Sequence, residues 1–230
     1  MAVMRLQPVD GFVPVDAAGL LDGRQALVVL APHPDDETLG CGALLAEAAA
    51  LGLDCRVICV TDGHRSHPGS ALWPKPRLVA QRRKELADAM AHLGPIKVHH
   101  LGFPDCAAPD GGPAVTQVSA LVPQGALFFS TWAGDPHVDH QSCARLAKAV
   151  ARSRSDLGHL AYPIWGRLRP DLPFPGAGYR LCADRPEKAA ALSCHESQMT
   201  GLITDDPGGF TMEPELQHLF LTEPEVFLAP

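Results

Sequence analysis

Five short apolar runs, spaced along the first 165 residues, constrain the fold more than any other feature of the sequence. Each is rich in β-branched or aromatic residues. They are ALVVLAP (26–32), RVICVTDG (56–63), VHHLGF (98–103), ALFFST (126–131) and LAYPIW (160–165). Continuous apolar runs of this length indicate strands that are buried on both faces, as in a parallel sheet.

Helix-forming stretches separate these runs. Residues 38–51 are rich in Ala and Leu, apolar residues recur at helical spacing across 77–93, and a glycine follows each stretch. A short helix is predicted at about 114–122, and an amphipathic helix follows the fourth strand and ends near 153. Strands that alternate with helices predict a Rossmann-like, doubly wound α/β fold, with a mostly parallel sheet and helices on both faces.

The last third of the chain is less regular. A Pro/Gly-rich loop is predicted at 166–178, a strand at 179–184 and a helix across 186–197, before a proline-bearing tail. No internal repeat and no low-complexity linker interrupts the sequence. We therefore expect residues 1–230 to form a single domain, with its motif-bearing core at about 25–200.

Composition excludes several classes of function. The formal net charge is −7, no dense Lys/Arg run occurs and aromatic residues are few, which argues against a nucleic-acid groove or a polybasic membrane patch. No transmembrane or signal segment is predicted. The seven cysteines form no CxxC pair and indicate reduced thiols in a cytoplasmic protein. The expected partner is a small molecule, and the oligomeric state cannot be read from the sequence.

Two polar segments carry the candidate chemistry. HPDDE (33–37) lies between the first strand and its helix, and HVDH (137–140) lies between the fourth strand and its helix. Such loops emerge at the carboxyl ends of parallel strands, where ligands bind in open α/β sheets. Either segment alone could simply cap a helix. Together they predict that histidines and carboxylates about a hundred residues apart converge on one edge of the sheet.

These residue types suit metal-assisted hydrolysis. Two imidazoles and one carboxylate can hold a catalytic zinc ion and leave a position for water, whose pKa the ion lowers. A further carboxylate can take the proton of that water as it attacks an amide carbonyl. A protonated histidine held by an aspartate could then stabilise the tetrahedral oxyanion.

The sequence resembles the PIG-L/LmbE-like family of zinc-dependent N-deacetylases over roughly residues 25–200. The most specific agreements are APHPDDETLGCGALLA and the distant PHVDH. Others are VTDG (60–63), RRKE (82–85), LGFPD (101–105), YPIW (162–165), Lys188 and HESQ (195–198). Family members act on N-acetylglucosaminyl lipids, sugar-thiol precursors and glycopeptide sugars. The resemblance thus implies removal of an acetyl group from an N-acylated amino sugar or its glycoconjugate.

The resemblance also implies a metal site. His33, Asp36 and His140 match the family's metal ligands, and Asp35 matches its general base. Zinc is the expected ion, although the same ligands would accept Fe(II), Co(II) or Mn(II).

Further roles follow from the same resemblance. His137 matches the residue that stabilises the oxyanion or acts as an acid, and Asp139 would orient it. Asp105 lies where the family contacts sugar hydroxyls, and Arg82 lies where a basic side chain often reaches the substrate. Arg82 could equally pair with Glu85 on one helix face.

Two alternatives remain open. An Fe(II) oxygenase could use His33, Asp35 and His140 as a facial triad, although such triads usually lie on β-rich barrels. A metal-binding or substrate-sensing module without catalysis is the other alternative. The presence of both Asp35 and His137, which bind no metal in a hydrolase, favours activity. Trp132 and Trp165 could stack on a sugar face, but burial is at least as plausible for each.

Overall fold

The computed structural model describes residues 6–230, and a single eight-stranded sheet lies at its centre. The strands are β1 (Val13–Pro14), β2 (Ala26–Ala31), β3 (Asp54–Thr61), β4 (Lys97–Phe103), β5 (Leu127–Thr131), β6 (Gly158–Tyr162), β7 (Gly178–Leu181) and β8 (Glu225–Leu228). The helices are α1 (Ala17–Leu20), α2 (Asp36–Ala50), α3 (Lys75–Leu93), α4 (Pro113–Leu121), α5 (Val138–Ser153), α6 (Pro186–Ser193), α7 (Glu196–Met199) and α8 (Pro214–Thr222).

The strand order is β1-β7-β8-β6-β5-β2-β3-β4. All neighbours are parallel except β8, which runs antiparallel to β6 and β7. The predicted doubly wound, mostly parallel α/β fold is therefore confirmed. Because β2 and β5 are neighbours with Val29 beside Phe129, the loops that follow these two strands leave the sheet side by side.

Alternation along β2 explains why both faces of the sheet are covered. Leu27 and Val29 belong to a core shared with α2, α3 and α6, whereas Val28 and Leu30 belong to a second core shared with α4 and α5. Successive side chains of a strand point to opposite faces, so a continuous apolar run supplies two cores at once. Every residue of β2 is buried.

The tail differs most from its predicted structure. The helix expected across 186–197 ends at Ser193, and α7 begins separately at Glu196. Residues 214–228 then form α8 and β8, neither of which was predicted. In β8, Phe227 packs edge-on against Phe129 of β5, with ring centroids 4.9 Å apart.

A buried ion pair joins this tail to helix α2. Lys188 Nζ lies 2.8 Å from Glu225 Oε1 and also donates to the carbonyl oxygen of Leu39. The Glu225 carboxylate accepts hydrogen bonds from the backbone N–H groups of Ala43 and Leu44. Strand β8 is thus fastened to the first half of α2, whose N-terminus carries the HPDDE segment.

The sequence also predicts reduced thiols and no transmembrane segment. All seven cysteines are free, four of them fully buried and the other three partly or largely exposed. Across residues 6–230, no helix has both the length and the apolar character needed to cross a lipid bilayer.

Candidate metal centre

The two predicted segments meet at the carboxyl edge of the sheet. His33 follows β2, while His137 and His140 follow β5, where α5 begins at Val138. The His33 ring centroid lies 5.5 Å from that of His140 and 4.8 Å from that of His137. The register of β2 against β5 produces this proximity, since neighbouring parallel strands end together.

One carboxylate oxygen lies between the two central histidines. Asp36 Oδ2 is 3.2 Å from His33 Nδ1 and 3.3 Å from His140 Nε2, and it also accepts a hydrogen bond from the backbone N–H of His33. All three residues are buried, and His140 is 0 % exposed. The structure therefore brings together the three residues that were predicted as metal ligands.

The electrostatics of this cluster favour positive charge. Burial opposes protonation of His140, yet the carboxylates of Asp36 and Asp135 raise its pKa to about 9. Burial also opposes protonation of His33, but Asp105, Asp139 and Asp36 hold its pKa well above the usual value. Carboxylates that favour imidazolium so strongly would also favour a bound cation.

Asp135, which sequence reasoning missed, lies near the other ring nitrogen of His140. Its Oδ1 lies 3.3 Å from His140 Nδ1, and its Oδ2 accepts hydrogen bonds from the backbone N–H groups of Ile164 and Gly166. The sequence GDPHVDH contained the signal, because a carboxylate close to a ligand histidine can orient that ring.

The residues present fit a divalent transition metal. Both nitrogens of His140 lack a well-aligned hydrogen bond to any residue in the described part of the chain, although each lies near a carboxylate. A buried nitrogen without a partner is costly unless a ligand or ion satisfies it. Donor atoms within 4.8 Å of one another also occur in two overlapping groups, His33–His137–His140 and His33–Asp105–Asp139. Mixed nitrogen and oxygen donors of this kind are typical of zinc and its neighbours.

Asp35 occupies an unusual backbone conformation beside this cluster. Its φ of 131° is outside the regions that residues with a Cβ commonly adopt, so its position is strained. The side chain is buried, and Arg82 donates a 3.1 Å hydrogen bond to its Oδ2. Burial, with help from Asp36 and Glu37, raises the pKa of Asp35 to about 7 although Arg82 opposes the shift.

Asp139 and Asp105 both face His33. Asp139 Oδ2 lies 3.0 Å from His33 Nε2, and Asp105 Oδ1 lies 3.3 Å from the same nitrogen. Asp139 was expected to orient His137; its side chain contacts His33, and its backbone N–H contacts His137. Asp105 was expected to contact substrate, and it lines the cavity described below while also positioning the His33 ring.

His137 caps helix α5. Its Nδ1 accepts a 3.2 Å hydrogen bond from the backbone N–H of Asp139. A nitrogen that accepts a hydrogen bond carries no proton, so this contact places the ring proton on Nε2. Burial and the neighbouring His33 and His140 lower the pKa of His137. The lowered pKa favours the neutral ring, whereas a protonated His137 was expected from the sequence.

Arg82 is occupied by contacts within the protein. Besides Asp35, its guanidinium donates to the carbonyl oxygens of Pro34 and Gly63. Gly63 has a φ of 60°, and a Cβ there would lie 2.3 Å from an Arg82 nitrogen, so only glycine allows this approach. Glu85, its other predicted partner, instead accepts two hydrogen bonds from Ser197.

The HESQ segment (195–198) packs against residues that support the site. His195 is fully buried with its Nε2 3.4 Å from Glu37 Oε1, and Glu37 in turn accepts a hydrogen bond from the Asp35 N–H. Gln198 donates to the Ser66 hydroxyl at the cavity wall. His195 and Gln198 thus support the strained Asp35 and the loop after β3, respectively.

A cavity of about 500 Å³ opens above the cluster. Its polar floor includes His33, Asp35 and Asp36. One wall carries Trp165 and Phe210, whose rings pack edge-to-face with centroids 5.7 Å apart. Of the two tryptophans considered from the sequence, Trp165 lines this cavity, whereas Trp132 is buried against Phe174.

The family model for PIG-L, described as GlcNAc-PI de-N-acetylase, matches residues 28–151, just over half of the 230-residue chain. The chain belongs to the PIG-L family. Both polar segments, all of β5 and all but the first two residues of β2 fall inside the matched stretch, so the convergence described above lies in the part of the chain that PIG-L proteins share.

Named relatives and solved structures extend this assignment. A 1D-myo-inositol 2-acetamido-2-deoxy-alpha-D-glucopyranoside deacetylase of Nocardioides sp. is 37% identical over 191 residues, covering 63% of this chain and 62% of the relative. Curated relatives are matched over 41% to 62% of their own length.

Two solved structures show the breadth of this fold. The conserved protein TT1542 from Thermus thermophilus superposes with a TM-score of 0.64 at 26% identity, covering 89% of this chain and 94% of that one. GalB, a 4-carboxy-2-hydroxymuconate hydratase from Pseudomonas putida, superposes with a TM-score of 0.63 at 18% identity, covering 74% and 78%. A hydratase on this fold means that the reaction has to be argued from the site itself.

Proposed function

We propose that this PIG-L protein is a metal-dependent amide hydrolase that removes an acetyl or other acyl group from an N-acylated amino sugar or its glycoconjugate. The observation that carries the proposal is Asp36 Oδ2, which lies within 3.3 Å of both His33 Nδ1 and His140 Nε2. The buried carboxylate of Asp35, whose backbone is strained, lies next to this group at the floor of the cavity.

His33, Asp36 and His140 are the residues that would hold the metal. The Nδ1 of His137 accepts a backbone hydrogen bond, which places the ring proton on Nε2 and leaves His137 without a free nitrogen for a metal. The set His33, Asp36 and His140 is therefore favoured over one that includes His137. Zinc is the expected ion. When bound, such an ion makes a water molecule more acidic and polarises a carbonyl group.

Asp35 is the proposed general base. A carboxylate with a raised pKa accepts a proton from attacking water more readily than an ordinary aspartate, and it can then pass that proton to the departing amine. The hydrogen bond from Arg82 fixes the direction of the Asp35 side chain. Arg82 is thus a positioning residue in this proposal rather than a direct contact of the substrate.

His137 is the proposed donor to the oxyanion. With its Nδ1 held by the Asp139 N–H, the Nε2–H group is available to the cavity that His137 lines. A fixed neutral donor stabilises negative charge as it forms on the carbonyl oxygen, and it costs no reorganisation during the reaction.

The amino-sugar assignment rests on the cavity and on the relatives. The Trp165–Phe210 wall offers an apolar aromatic surface against which the C–H face of a sugar ring could pack. The Nocardioides relative is named as a deacetylase of an acetamido sugar linked to inositol. An Fe(II) oxygenase would use Asp35 as its carboxylate ligand, but that carboxylate is paired with Arg82. A binding module without catalysis would have no use for a general base.

The decisive experiment combines metal analysis with product detection. Purified protein is expected to contain about one divalent metal ion per chain and to release acetate from at least one member of a panel of N-acetylated sugars and glycosides. Removal of the metal with a chelator should abolish acetate release, and zinc should restore it. Metal-loaded protein that releases acetate from no N-acetylated substrate, but adds water to an unsaturated acid, would instead support a hydratase.

A further inference from the structure

Arg65 is a cation at the cavity that has no acidic partner among residues 6–230. Its side chain lines the cavity and is exposed, unlike the buried groups of the floor. Within the same described range, the guanidinium of Arg65 forms no ion pair or side-chain hydrogen bond. By contrast, the guanidinium of Arg82 donates to three groups of the protein.

The backbone that carries Arg65 is held on both sides. The Arg65 N–H donates a 2.8 Å hydrogen bond to Asp105 Oδ2, and the carbonyl oxygen of Ser66 accepts a 2.7 Å hydrogen bond from the Phe210 N–H. The Ser66 hydroxyl also accepts from Gln198. Arg65 therefore extends from a fixed point on the wall rather than from a free loop.

The acids that line the same cavity are already engaged. Asp35 is bound by Arg82, and Asp36 lies between His33 and His140. Asp105 faces His33 with one oxygen and accepts the backbone N–H of Arg65 with the other. Within the described chain, no carboxylate is left to pair with the Arg65 side chain inside this cavity.

We propose that Arg65 binds an anionic group, a carboxylate or a phosphate, carried by the substrate on the part remote from its acylated nitrogen. This inference rests on the proposed function and narrows its substrate class to acidic glycosides. A guanidinium presents paired N–H donors that match both anions, and the exposure of Arg65 separates it from the buried residues of the floor, where the amide would react. In a chain with a net charge of −7, such a cation also opposes the general repulsion of anionic ligands.

The test uses ligands that the enzyme cannot turn over. Binding of three glucosamine glycosides to the zinc-loaded protein is measured by calorimetry, with 2-hydroxyethyl, carboxymethyl and 2-phosphoethyl aglycones. At least one anionic glycoside should bind about tenfold or more tightly than the neutral one, as expected for a hydrogen-bonded charge pair. The carboxymethyl and phosphoethyl arms show which anion the site prefers.

Variants assign the preference to one side chain. In Arg65→Gln the advantage of the anionic glycoside should fall to about twofold or less, and Arg65→Lys should keep part of it. Arg152→Gln is the matched control, because it removes the same charge from an exposed position near the end of α5. It should leave the advantage unchanged.

Three results would overturn the inference: equal affinity for neutral and anionic glycosides, an anionic advantage that survives Arg65→Gln, or no binding of any of the three. The corresponding N-acetylated glycosides are assayed separately for acetate release. Acetate release without any preference for charge refutes the role of Arg65 but not the proposed deacetylase. A charge preference that depends on Arg65, without acetate release, refutes the deacetylase alone.

Discussion

The floor and the rim of the cavity are built on different principles. The floor consists of His33, Asp35 and Asp36, with Asp135 and His140 buried behind it, and the rim consists of Arg65, Trp165 and Phe210. Every floor residue is buried and contacts another charged group, whereas the rim offers an exposed cation and an aromatic pair. In the proposed function, the floor carries out the chemical step and the rim recognises the substrate.

The position of these residues in the chain adds to this contrast. The floor lies entirely within residues 28–151, which match the PIG-L family, whereas of the rim residues only Arg65 lies inside that stretch and Trp165 and Phe210 lie beyond it. Family membership therefore informs the reaction more than the substrate. Predictions for the floor concern loss of chemistry, and predictions for the rim concern choice of ligand.

The largest expected effect separates Asp35 on the floor from His140 behind it. Asp35→Asn should lower kcat by about 10²–10⁴-fold and keep the metal, because the amide can still accept a hydrogen bond from Arg82 but cannot take a proton. His140→Ala should lose both the metal and the activity. Metal content by mass spectrometry and initial rates of acetate release distinguish the two. If Asp35→Asn loses the metal, or His140→Ala retains it, the roles assigned to these residues are wrong.

A histidine outside the floor sharpens the comparison further. His159, on β6, stacks near Phe128 and hydrogen-bonds Ser130, with no carboxylate of the described chain in an ion pair with it. Burial, assisted by the charge of Lys148, lowers the pKa of His159 to about 4. The unfolded chain then binds a proton at His159 more readily than the folded chain does. Titration of His159 should therefore lower the free energy of unfolding by roughly 3 kcal/mol as the pH falls from about 6.5 to 4.

The measurement is denaturant unfolding across that pH range for the wild type and for His159→Gln. The difference between the two proteins isolates this group from the carboxylates that also titrate there. His218→Gln, at an exposed position on α8, is the matched control. A difference that does not change with pH would show that burial does not depress the pKa of His159.

A smaller effect, on metal affinity, is expected for Asp135 behind the floor. Asp135→Asn should weaken metal affinity by about 10–100-fold, because the carboxylate that orients the His140 ring is lost while the ligands remain. Competition with a chromogenic chelator measures the affinity. Ser130→Ala, at another buried polar residue of the same region, provides a control. Unchanged affinity in Asp135→Asn would reduce Asp135 to a support for the backbone at Ile164 and Gly166.

The sequence predicted the parts of the molecule in which local pattern and tertiary structure agree. The five apolar runs correspond to β2–β6, because strands buried on both faces need continuous apolar sequence. The convergence of His33 and His140 followed from the rule that parallel strands end together. In the tail, β8 was missed because a short apolar stretch next to Pro224 resembles a loop, and only its place between β6 and β7 makes it a strand.

Side-chain partners were less predictable than positions. Asp139 was assigned to His137, its close neighbour in sequence, but its side chain turns to His33, more than a hundred residues away. Arg82 was expected to reach substrate, and although it lines the cavity, its guanidinium is bound by Asp35 and by the carbonyl oxygen of Gly63. Sequence spacing gives the location of a helix or a loop, whereas side-chain direction depends on packing from other elements.

The place of β8 has a consequence for biosynthesis. Because β8 fits between β6 and β7, a chain still emerging from the ribosome has synthesised both neighbours long before the strand that joins them exists. Until then, the facing edges of β6 and β7 carry unpaired backbone groups, and Lys188 lacks the carboxylate of Glu225. Completion of this sheet therefore follows the synthesis of every other described strand, and until then the open edges of β6 and β7 could pair with other chains.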